Sequence, residues 1–390
     1  MADIRHIYIS TGEVSGEQHA AALVRECRKQ CPNTAFTAMG TDILRNAGVE
    51  IAVDASQIQV MGLVAVVKHL PAVWRAYRQT LRHVKETRPD MVVLVDYPGY
   101  HLRLAKTLKK RFPEIPIVYY IVPQVWAWHQ SRVNTIRKYI DYCLCILPFE
   151  PDFYRAHGVP AEYVGSPVAD AVRDVSRTRV KEILGLDDST RLISVFPGSR
   201  RKEIQYLLPP MVEAARILHE QFDDLAFVLA AAPGYRQSDL ERHCTIPGWM
   251  PVLTGHSREI MAGSYFCIAK SGTTTLEAAL LDCPLLMAYA GDWLSALLAR
   301  SYIKLFNCLK MYSLPNIIAG RAIIPEFLQE YCNGPEMARV ARLMLKDEET
   351  YETMLRDLRE VKEKVGDRNA AETAARALFR IIAEKSPNRV

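Results

Sequence analysis

The chain has 390 residues, which at about 150 residues per domain predicts two or three domains. Hydrophobic residues make up 49% of the chain and charged residues 24%, proportions that exclude an intrinsically disordered protein. We expect neither a membrane span nor a cleavable signal, because no run of about 18 uncharged apolar residues occurs and Asp3 and Arg5 stand where a signal peptide would become apolar.

Short β-rich runs alternate with segments of helical period, a pattern typical of parallel sheets with crossover helices. In the first half the predicted strands are His6–Ser10, Ala35–Ala38, Met91–Val95, Ile115–Ile121 and Tyr142–Leu147. In the second half the clearest predicted strands are Leu192–Phe196, Ala226–Ala230, Tyr265–Ala269 and Pro284–Ala288. We predict an α/β protein with two doubly wound, Rossmann-like domains that face a cleft, and we expect its ligands at loops that follow strands.

The segment Val164–Pro167 has the glycine, serine and proline chemistry of a connector. It predicts an N-terminal domain of residues 1–165 and a C-terminal domain of residues 166–390, the latter with a helical tail from Pro335 to Lys385. The net charge of +5 lies entirely in the first part, which holds 20 lysines and arginines against 15 acidic residues, whereas the second part holds 29 of each. This asymmetry predicts an anionic partner for the N-terminal domain, either a phosphorylated substrate or a lipid surface.

The nine cysteines include no CxxC pair and lie mostly within apolar runs, which predicts reduced, buried thiols in the cytoplasm. Cys143 and Cys145 have a spacing that a metal could use, but they stand within a predicted strand, which favours a position in the core. The sequence contains no D-x-D and no close cluster of His, Asp and Glu with metal-ligand spacing. We therefore expect a protein that needs neither a metal ion nor a cofactor.

Two loops of the first half follow predicted strands and carry acidic residues. Thr11–Glu17 (TGEVSGE) contains Gly12 and Gly16. These glycines allow a tight turn into a helix whose free N–H groups could hold an anion. The alternative is a turn that serves only packing. Asp96 follows the apolar run Met91–Val95. A carboxylate there is suited to accept a proton from a hydroxyl group, although a turn or helix-capping aspartate would occupy the same position.

Val122–Arg132 (VPQVWAWHQSR) brings two tryptophans, a glutamine and a histidine after another predicted strand. Aromatic rings with adjacent hydrogen-bond donors suit a sugar or acyl ligand. Trp126 and Trp128 could equally pack this loop onto the core.

Two loops of the second half have the composition of a phosphate site. In Phe196–Glu203 (FPGSRRKE), Gly198 and Ser199 allow close approach to the backbone while Arg200 offers a forked donor to phosphate oxygens. The alternative is a solvated pair of arginines, which the positive end of a helix dipole disfavours.

The sequence contains no G-x-G pair and no P-loop motif, which disfavours a nicotinamide dehydrogenase and a P-loop kinase.

Lys270–Leu280 (KSGTTTLEAAL) repeats this pattern of a strand, a turn and a helix start. Its hydroxyl and N–H groups suit a phosphate, and the carboxylate of Glu277 suits a ribose. The alternative is a capping motif, in which Thr273 caps the helix and Glu277 lies on a solvated face. Together the two loops predict a nucleotide site. The predicted nucleotide-binding residues in this segment are Ser271, Gly272, Thr273, Thr274 and Glu277.

The segment from Ala55 to Lys85 contains no carboxylate and combines apolar with basic residues. This composition resembles a membrane-surface element, or a crossover helix with a basic solvent face. The residues predicted to face a membrane or an acylated acceptor are Met61, Val64, Val67, Leu70, Trp74, Arg75 and Arg78.

Taken in order, eight segments closely resemble the lipid A disaccharide synthases, a family of inverting glycosyltransferases, over roughly residues 5–340. These segments are GEVSGE, VMGLVAVVKHL, VDYPGYH, VPQVWAWHQSRV, LPFEPDFY, FPGSRRKEI, SGTTTLEAAL and YSLPNIIAGRAIIPEFLQE. The resemblance implies a GT-B type fold with UDP in the C-terminal domain and the acceptor in the N-terminal one. It also implies transfer of glucosamine from UDP-2,3-diacylglucosamine to the 6-hydroxyl of 2,3-diacylglucosamine 1-phosphate, which gives a β-1,6 disaccharide and UDP.

The same resemblance implies roles for individual residues. Asp96 matches the catalytic base of the family, Glu13 lies in its active-site loop, and Arg200 matches its phosphate-binding arginine. Glu277 matches the ribose-binding acid, and two polar residues, Asn316 and Gln329, match its donor region. The family typically has Asp and Asn where this chain has Gly99 and His101.

The expected partners are these two acylated sugars and anionic lipid of the inner membrane leaflet, with no nucleic acid. The expected location is the cytoplasm, peripherally on that membrane. Two alternatives remain open at this level. A UDP-sugar epimerase would use the same scaffold without a lipid-facing surface, and a non-catalytic lipid-binding scaffold would need only the basic segment.

Overall fold

The computed structural model describes residues 6–59, 66–127, 129–187, 189–291 and 311–385. These residues form two compact units. The first extends to Asp170 and resumes at Asp367, and the second comprises Ala171–Gly366.

The strands are, in chain order, β1 (His6–Ser10), β2 (Ala35–Gly40), β3 (Glu50–Asp54), β4 (Met91–Val95), β5 (Ile117–Tyr120), β6 (Tyr142–Cys145), β7 (Ala161–Tyr163), β8 (Arg191–Phe196), β9 (Leu225–Ala231), β10 (Val252–Thr254), β11 (Phe266–Lys270), β12 (Leu285–Tyr289) and β13 (Glu326–Leu328).

The α-helices are, in chain order, α1 (Val14–Gln30), α2 (Asp42–Asn46), α3 (Ser56–Gln59), α4 (Val66–Thr87), α5 (Pro98–Arg111), α6 (Val133–Tyr139), α7 (Glu150–Ala156), α8 (Pro167–Val172), α9 (Arg179–Leu184), α10 (Arg201–His219), α11 (Gln237–Leu240), α12 (Ser257–Gly263), α13 (Thr273–Leu280), α14 (Leu314–Ala319), α15 (Gly334–Lys346), α16 (Glu348–Val365) and α17 (Ala370–Lys385). Two 3₁₀ turns, Gln130–Arg132 and Gln329–Tyr331, complete the described elements.

The first unit is built on a parallel sheet with the strand order β3-β2-β1-β4-β5-β6-β7. β1 lies next to the central strand β4, and its Ile9 pairs with Ala38 of β2 on one side and with Val93 of β4 on the other. All five residues of β4 are buried, because helices cover both faces of the sheet and the strand therefore reads as a continuous apolar run.

The second unit repeats this topology with the order β10-β9-β8-β11-β12-β13. Val195 of β8 lies beside Leu229 of β9 and Ile268 of β11. In each sheet the strand order reverses beside the first strand, between β1 and β4 and between β8 and β11. This reversal is the topological switch point, where ligands of doubly wound sheets bind at the carboxyl ends of the strands. The prediction of two doubly wound, Rossmann-like domains is confirmed.

The predicted strands correspond to central strands of both sheets, with ends that differ by a few residues. Four strands were not predicted from the sequence: β3, β7, β10 and β13. These are the outermost strands of the two sheets, and they are short and partly exposed. An edge strand covered on fewer sides needs no continuous apolar run, so it leaves a weaker signal in the sequence.

The end of the chain differs from the predicted division at residue 165. Helix α17 packs against α1 in the first unit, with Ala374 and Leu378 in the same buried cluster as Leu23. The Ala370 N–H donates to the Asp170 carboxylate at 2.9 Å, and Arg380 pairs with Glu162 at 2.5 Å. The predicted C-terminal domain therefore has its last helix in the other unit, since the apolar face of α17 completes the core beside α1.

Candidate active site

Asp96 is the first residue after β4, at the switch point of the first unit. Asp96 and Tyr97 both have a φ of 52°, in the left-handed region that residues with a side chain seldom adopt. Such a conformation costs of order 1–3 kcal/mol per residue and persists only where surrounding contacts hold it. Pro98 then begins α5, so the turn leaves the Asp96 carboxylate at the carboxyl edge of the sheet.

Two side chains hold the main-chain carbonyl of Asp96. The Tyr119 hydroxyl donates to this oxygen at 2.6 Å, and His101 Nδ1 donates to it at 2.5 Å. Tyr119 lies on β5 and His101 in the first turns of α5, and both are fully buried. The Asp96 carbonyl, at the turn after β4, therefore accepts two hydrogen bonds from side chains.

The protonation of His101 follows from these contacts. Because a carbonyl oxygen only accepts, Nδ1 carries the proton, and burial lowers the pKa of the ring to about 4. The ring is therefore neutral near pH 7, and its Nε2 accepts from the hydroxyl of Ser10 at 2.9 Å. Ser10 is the last residue of β1, so this bond joins the strand before the Glu13 loop to the turn at Asp96.

Gly12 of the Glu13 loop is explained by close approach to this turn, because a Cβ there would overlap the ring of Tyr97. A Cβ at Gly16 would lie 3.7 Å from Asp96 Cβ, an ordinary van der Waals contact. Glu13 precedes α1 and is exposed. Burial and the nearby Glu13 carboxylate both raise the pKa of Tyr97. The structure therefore brings Glu13, Asp96 and Tyr97 together, and Tyr97 was not among the site residues predicted from the sequence.

The Asp96 carboxyl is half-buried. Burial raises its pKa above the ordinary 3.8, against the opposing effect of the hydrogen bond from the Tyr97 N–H. Raising the pKa of a carboxylate toward neutrality makes it a stronger base while it still ionises. The position and the environment of Asp96 both suit proton abstraction.

The loop with two tryptophans is anchored to the core. Trp126 is 9% exposed, and its Nε1 donates to the Glu150 carboxylate at 3.1 Å. Glu150 is buried and also accepts from the N–H groups of Ile146 and Leu147. Burial raises its pKa to about 7. These contacts favour the packing interpretation for Trp126, while Trp128 lies outside the described residues.

In the second unit, the loop after β8 is held by one of its own carboxylates. Glu203 accepts from the N–H groups of Ser199 and Arg200, each at 3.1 Å. Gly198 has a φ of 113°, and a Cβ there would lie 2.6 Å from the Glu203 carboxylate. The N–H groups expected to meet a phosphate are thus satisfied by Glu203. The Arg200 side chain is 83% exposed and remains accessible to an anion.

Lys270 adds a cation to this loop and was missed by the sequence analysis. It ends β11, and its Nζ lies 3.4 Å from Glu203 Oε1. Burial alone would raise the pKa of Glu203. The positive charge of Lys270 and the hydrogen bonds from the N–H groups of Arg200 and Ser199 outweigh burial and bring this pKa below its ordinary value. The sequence did carry a signal for this residue, because Lys270 is a charged residue at the end of an otherwise apolar strand.

A cavity of about 240 Å³ opens beside these groups. Its lining includes Gly198, Ser199, Lys270, Thr274 and Glu277. It lies at the switch point of the second sheet, the place expected for a nucleotide. Glycines, hydroxyls, a cation and a carboxylate around one cavity are groups that can bind phosphate and ribose.

Helix α13 begins at this cavity without a side-chain cap. Gly272, with a φ of 126°, precedes the helix, and the Thr275 hydroxyl donates to its carbonyl at 2.8 Å. The alternative in which Thr273 caps the helix is therefore not observed. Glu277 accepts from Arg258 Nε at 3.0 Å, so it is paired and only 17% exposed. Ser271 follows β11, and its N–H donates to the Ala288 carbonyl at 3.0 Å.

The two polar residues predicted further along behave differently from each other. Asn316 is buried, and its amide makes four bonds, to the backbone of Ile323 and Ile324 and to Glu326. Such a side chain supports the segment instead of facing a ligand. Gln329 is half-buried and accepts from the Gly291 N–H at 3.3 Å, at the carboxyl ends of β12 and β13. The donor-binding role of both residues stays a prediction.

Part of the predicted membrane segment lies outside the described residues, including Met61 and Val64. Val67 belongs to α4, Leu70 and Trp74 are 51% and 61% exposed, and Ile58 is buried in the core. Arg75 and Arg78 are exposed on α4. A groove of about 1190 Å³ runs between α4 and α5, and its basic lining residues are Arg75, Arg78, Arg82, Lys85 and Arg111.

No group of three or more His, Cys, Asp or Glu residues suited to a metal ion occurs among the described residues. Cys143 and Cys145 are fully buried in β6, as expected of core residues. Within the described ranges, no helix is long and apolar enough to cross a membrane.

A family model described as lipid-A-disaccharide synthetase matches residues 7–378. The chain belongs to the lipid-A-disaccharide synthase family. A lipid-A-disaccharide synthase of Myxococcus xanthus (strain DK1622) is 36% identical over 384 residues, with 98% of this chain and 99% of the relative covered. That of Solibacter usitatus (strain Ellin6076) is 37% identical over 380 residues, with 97% of each chain covered.

Membership of the lipid-A-disaccharide synthase family confirms the resemblance drawn from the motifs. It establishes a glycosyltransferase that forms the disaccharide of lipid A. The roles of individual residues remain predictions at this point.

Solved structures share the fold at low sequence identity. The Staphylococcus aureus MnaA–UDP co-structure has a TM-score of 0.65 at 14% identity, with 99% of this chain and 98% of that chain covered. The calicheamicin glycosyltransferase CalG4 has a TM-score of 0.60 at 13% identity, with 97% and 99% covered. Likeness at this identity shows the fold alone, and it supports the GT-B assignment for a lipid-A-disaccharide synthase.

Proposed function

We propose that the chain transfers glucosamine from UDP-2,3-diacylglucosamine to the 6-hydroxyl of 2,3-diacylglucosamine 1-phosphate. The acceptor oxygen attacks C1 of the donor sugar on the face opposite the diphosphate, and its proton passes to a base. The bond from C1 to the diphosphate oxygen breaks, so UDP leaves and the configuration at C1 inverts. The products are a β-1,6 disaccharide 1-phosphate and UDP.

Asp96 is the base in this proposal, and its placement is the observation that carries it. The carboxylate stands on a strained turn at the switch point of a doubly wound sheet, where burial raises its pKa. One partly buried carboxylate suffices for an inverting transfer, since no covalent sugar intermediate forms. Glu13 lies beside Tyr97 in the same site, where we propose it as a second catalytic residue.

The leaving diphosphate is stabilised by cations of the second unit. Arg200 is accessible, and Lys270 reaches the same loop from β11. Hydrogen bonds to charged groups are roughly twice as strong as neutral ones, so these donors can take over the neutralising role of a metal ion. We therefore propose a metal-independent reaction, with Glu277 and the start of α13 contacting the nucleoside.

Helix α4 is the membrane contact in this proposal. Its exposed Leu70 and Trp74 suit the acyl region of the inner leaflet, and the basic groove suits lipid phosphates. Such a contact would give the enzyme access to two substrates whose acyl chains lie in the bilayer.

The decisive experiment incubates the purified chain with both substrates in detergent micelles and detects the tetraacyl disaccharide 1-phosphate by mass. An acceptor that lacks only its 6-hydroxyl is the matched control, and we expect neither disaccharide nor UDP from it. UDP release without any acceptor, or a sugar product of unchanged size, would overturn the transfer. Full activity in excess EDTA is expected, and loss that Mg²⁺ restores would overturn metal independence.

A further inference from the structure

Behind the Asp96 turn lies a set of buried polar residues that cannot reach a substrate. Tyr119, His101 and Ser10 are each fully buried. Tyr119 and His101 both donate to the main-chain carbonyl of Asp96, and Ser10 donates to the far side of the His101 ring. These contacts place three elements, β1, β5 and α5, around one carbonyl group.

The backbone of the sheet does not supply these bonds. The N–H of Asp96 still bonds the carbonyl of Tyr120 in β5 at 3.3 Å, and the next amide of β5, Ile121, faces the other neighbour and donates to Leu144 of β6. Residue pairing of β4 with β5 ends at Val95 and Tyr120, immediately before Asp96 and Tyr97 enter the left-handed region. The orientation of the Asp96 carboxylate depends on what holds this turn.

We propose that Tyr119 and His101 are positioning residues, whose hydrogen bonds to the main-chain carbonyl of Asp96 fix the Asp96 carboxylate for proton abstraction. Ser10 supports His101 from the other side of its ring. We call these three residues the clamp. This inference rests on the proposed function of Asp96 as the base. A displacement of about 1 Å at a reacting group lowers turnover by up to about 10²-fold, so loss of either bond should lower kcat while leaving substrate binding intact.

The chemistry of His101 offers a matched pair of substitutions. The Nδ2 of asparagine occupies the same place along the side chain as the Nδ1 of histidine, so His101→Asn keeps a donor toward Asp96. The Nε2 of glutamine corresponds instead to histidine Nε2, so His101→Gln keeps reach toward Ser10 and loses the Asp96 bond. Tyr119→Phe removes only a hydroxyl and keeps the ring.

The test measures kcat and KM for both substrates, together with UDP affinity, in these variants. We expect kcat to fall roughly 10- to 100-fold in Tyr119→Phe and His101→Gln, with KM and UDP affinity unchanged, and to stay close to the parent value in His101→Asn. In an Asp96→Asn background, Tyr119→Phe should have no additional effect, because the clamp acts only through the base.

Near-parental kcat in both Tyr119→Phe and His101→Gln would overturn the proposal, as would equal losses in His101→Asn and His101→Gln. A Tyr119→Phe effect that multiplies with that of Asp96→Asn would show a general structural role and would also overturn it. If Asp96→Asn itself keeps full turnover, the base assignment fails and the clamp falls with it. If Asp96→Asn is inactive and the Tyr119 variant is normal, only the clamp fails.

Discussion

Gly12 lies directly against the ring of Tyr97, so closely that a Cβ at residue 12 would overlap that ring. Gly99, three residues from Asp96 in α5, has no heavy atom within 4 Å of where its Cβ would stand. We predict that Gly12→Ala displaces Tyr97, at a cost of about 1–3 kcal/mol, and lowers turnover, whereas Gly99→Ala is tolerated. Thermal midpoints and turnover of the two variants measure this, and equal behaviour would contradict it.

Asp96→Asn keeps the shape of the side chain and removes the base. We predict that turnover falls by roughly 10²- to 10⁴-fold with little change in UDP affinity. Asp152→Asn is the matched control, because this carboxylate is 87% exposed on α7. Near-normal turnover of Asp96→Asn would remove the assignment.

The acid side of the pH profile of kcat/KM should report the Asp96 carboxyl in the free enzyme. The base works only as a carboxylate, and burial raises its pKa above 3.8, so activity should be lost as the pH falls through a midpoint higher than that value. Glu150, whose pKa burial raises to about 7, is another carboxyl that titrates in the first unit, so Glu150→Gln is the control and should leave the midpoint unchanged. A midpoint at or below 3.8 would contradict the prediction.

Arg200→Ala should weaken binding of UDP, because each charge-assisted bond to the diphosphate contributes about 1.5–3 kcal/mol. This corresponds to a loss of affinity of roughly 10- to 100-fold, measured by calorimetric titration. Arg179→Ala removes an arginine that is 58% exposed on α9 and serves as the control. Unchanged UDP affinity and an unchanged rate in Arg200→Ala would remove the proposed diphosphate site.

The membrane contact is tested by two variants of α4 in a sedimentation assay with anionic vesicles. Leu70→Ser with Trp74→Ser removes exposed apolar area, and Arg75→Glu with Arg78→Glu reverses an attraction of about 1 kcal/mol per basic residue. Both should raise the unbound fraction, the second most strongly at low salt, where charge is least screened.

The controls for α4 make substitutions of the same kind in the second unit. Leu343→Ser removes a side chain that is 51% exposed, and Arg356→Glu with Arg359→Glu reverses two exposed charges of α16. Circular dichroism checks that every variant is folded. Folded α4 variants that sediment like the parent would show that the membrane contact lies elsewhere.

Much of the site could be predicted because its signals are local in the sequence. A central strand such as β4 is covered on both faces, so it is apolar along its whole length, and the first polar residue after it, Asp96, marks the carboxyl edge of the sheet. The same reasoning placed the segments that hold Ser199 and Glu277 directly after strands, whereas a role for Glu13 was implied only by the resemblance to the family. The motifs, taken together, also predicted the family and its reaction.

Other features depended on contacts between residues far apart in the chain, which periodicity cannot report. Ser10, His101 and Tyr119 come from three elements and meet only because β1, β4 and β5 are neighbours in the sheet. The edge strands, covered on fewer sides, had no apolar run to reveal them. Helix α17 returns to the first unit because its apolar face fits beside α1, a choice of partner that its amphipathic pattern leaves open and that only the packed core decides.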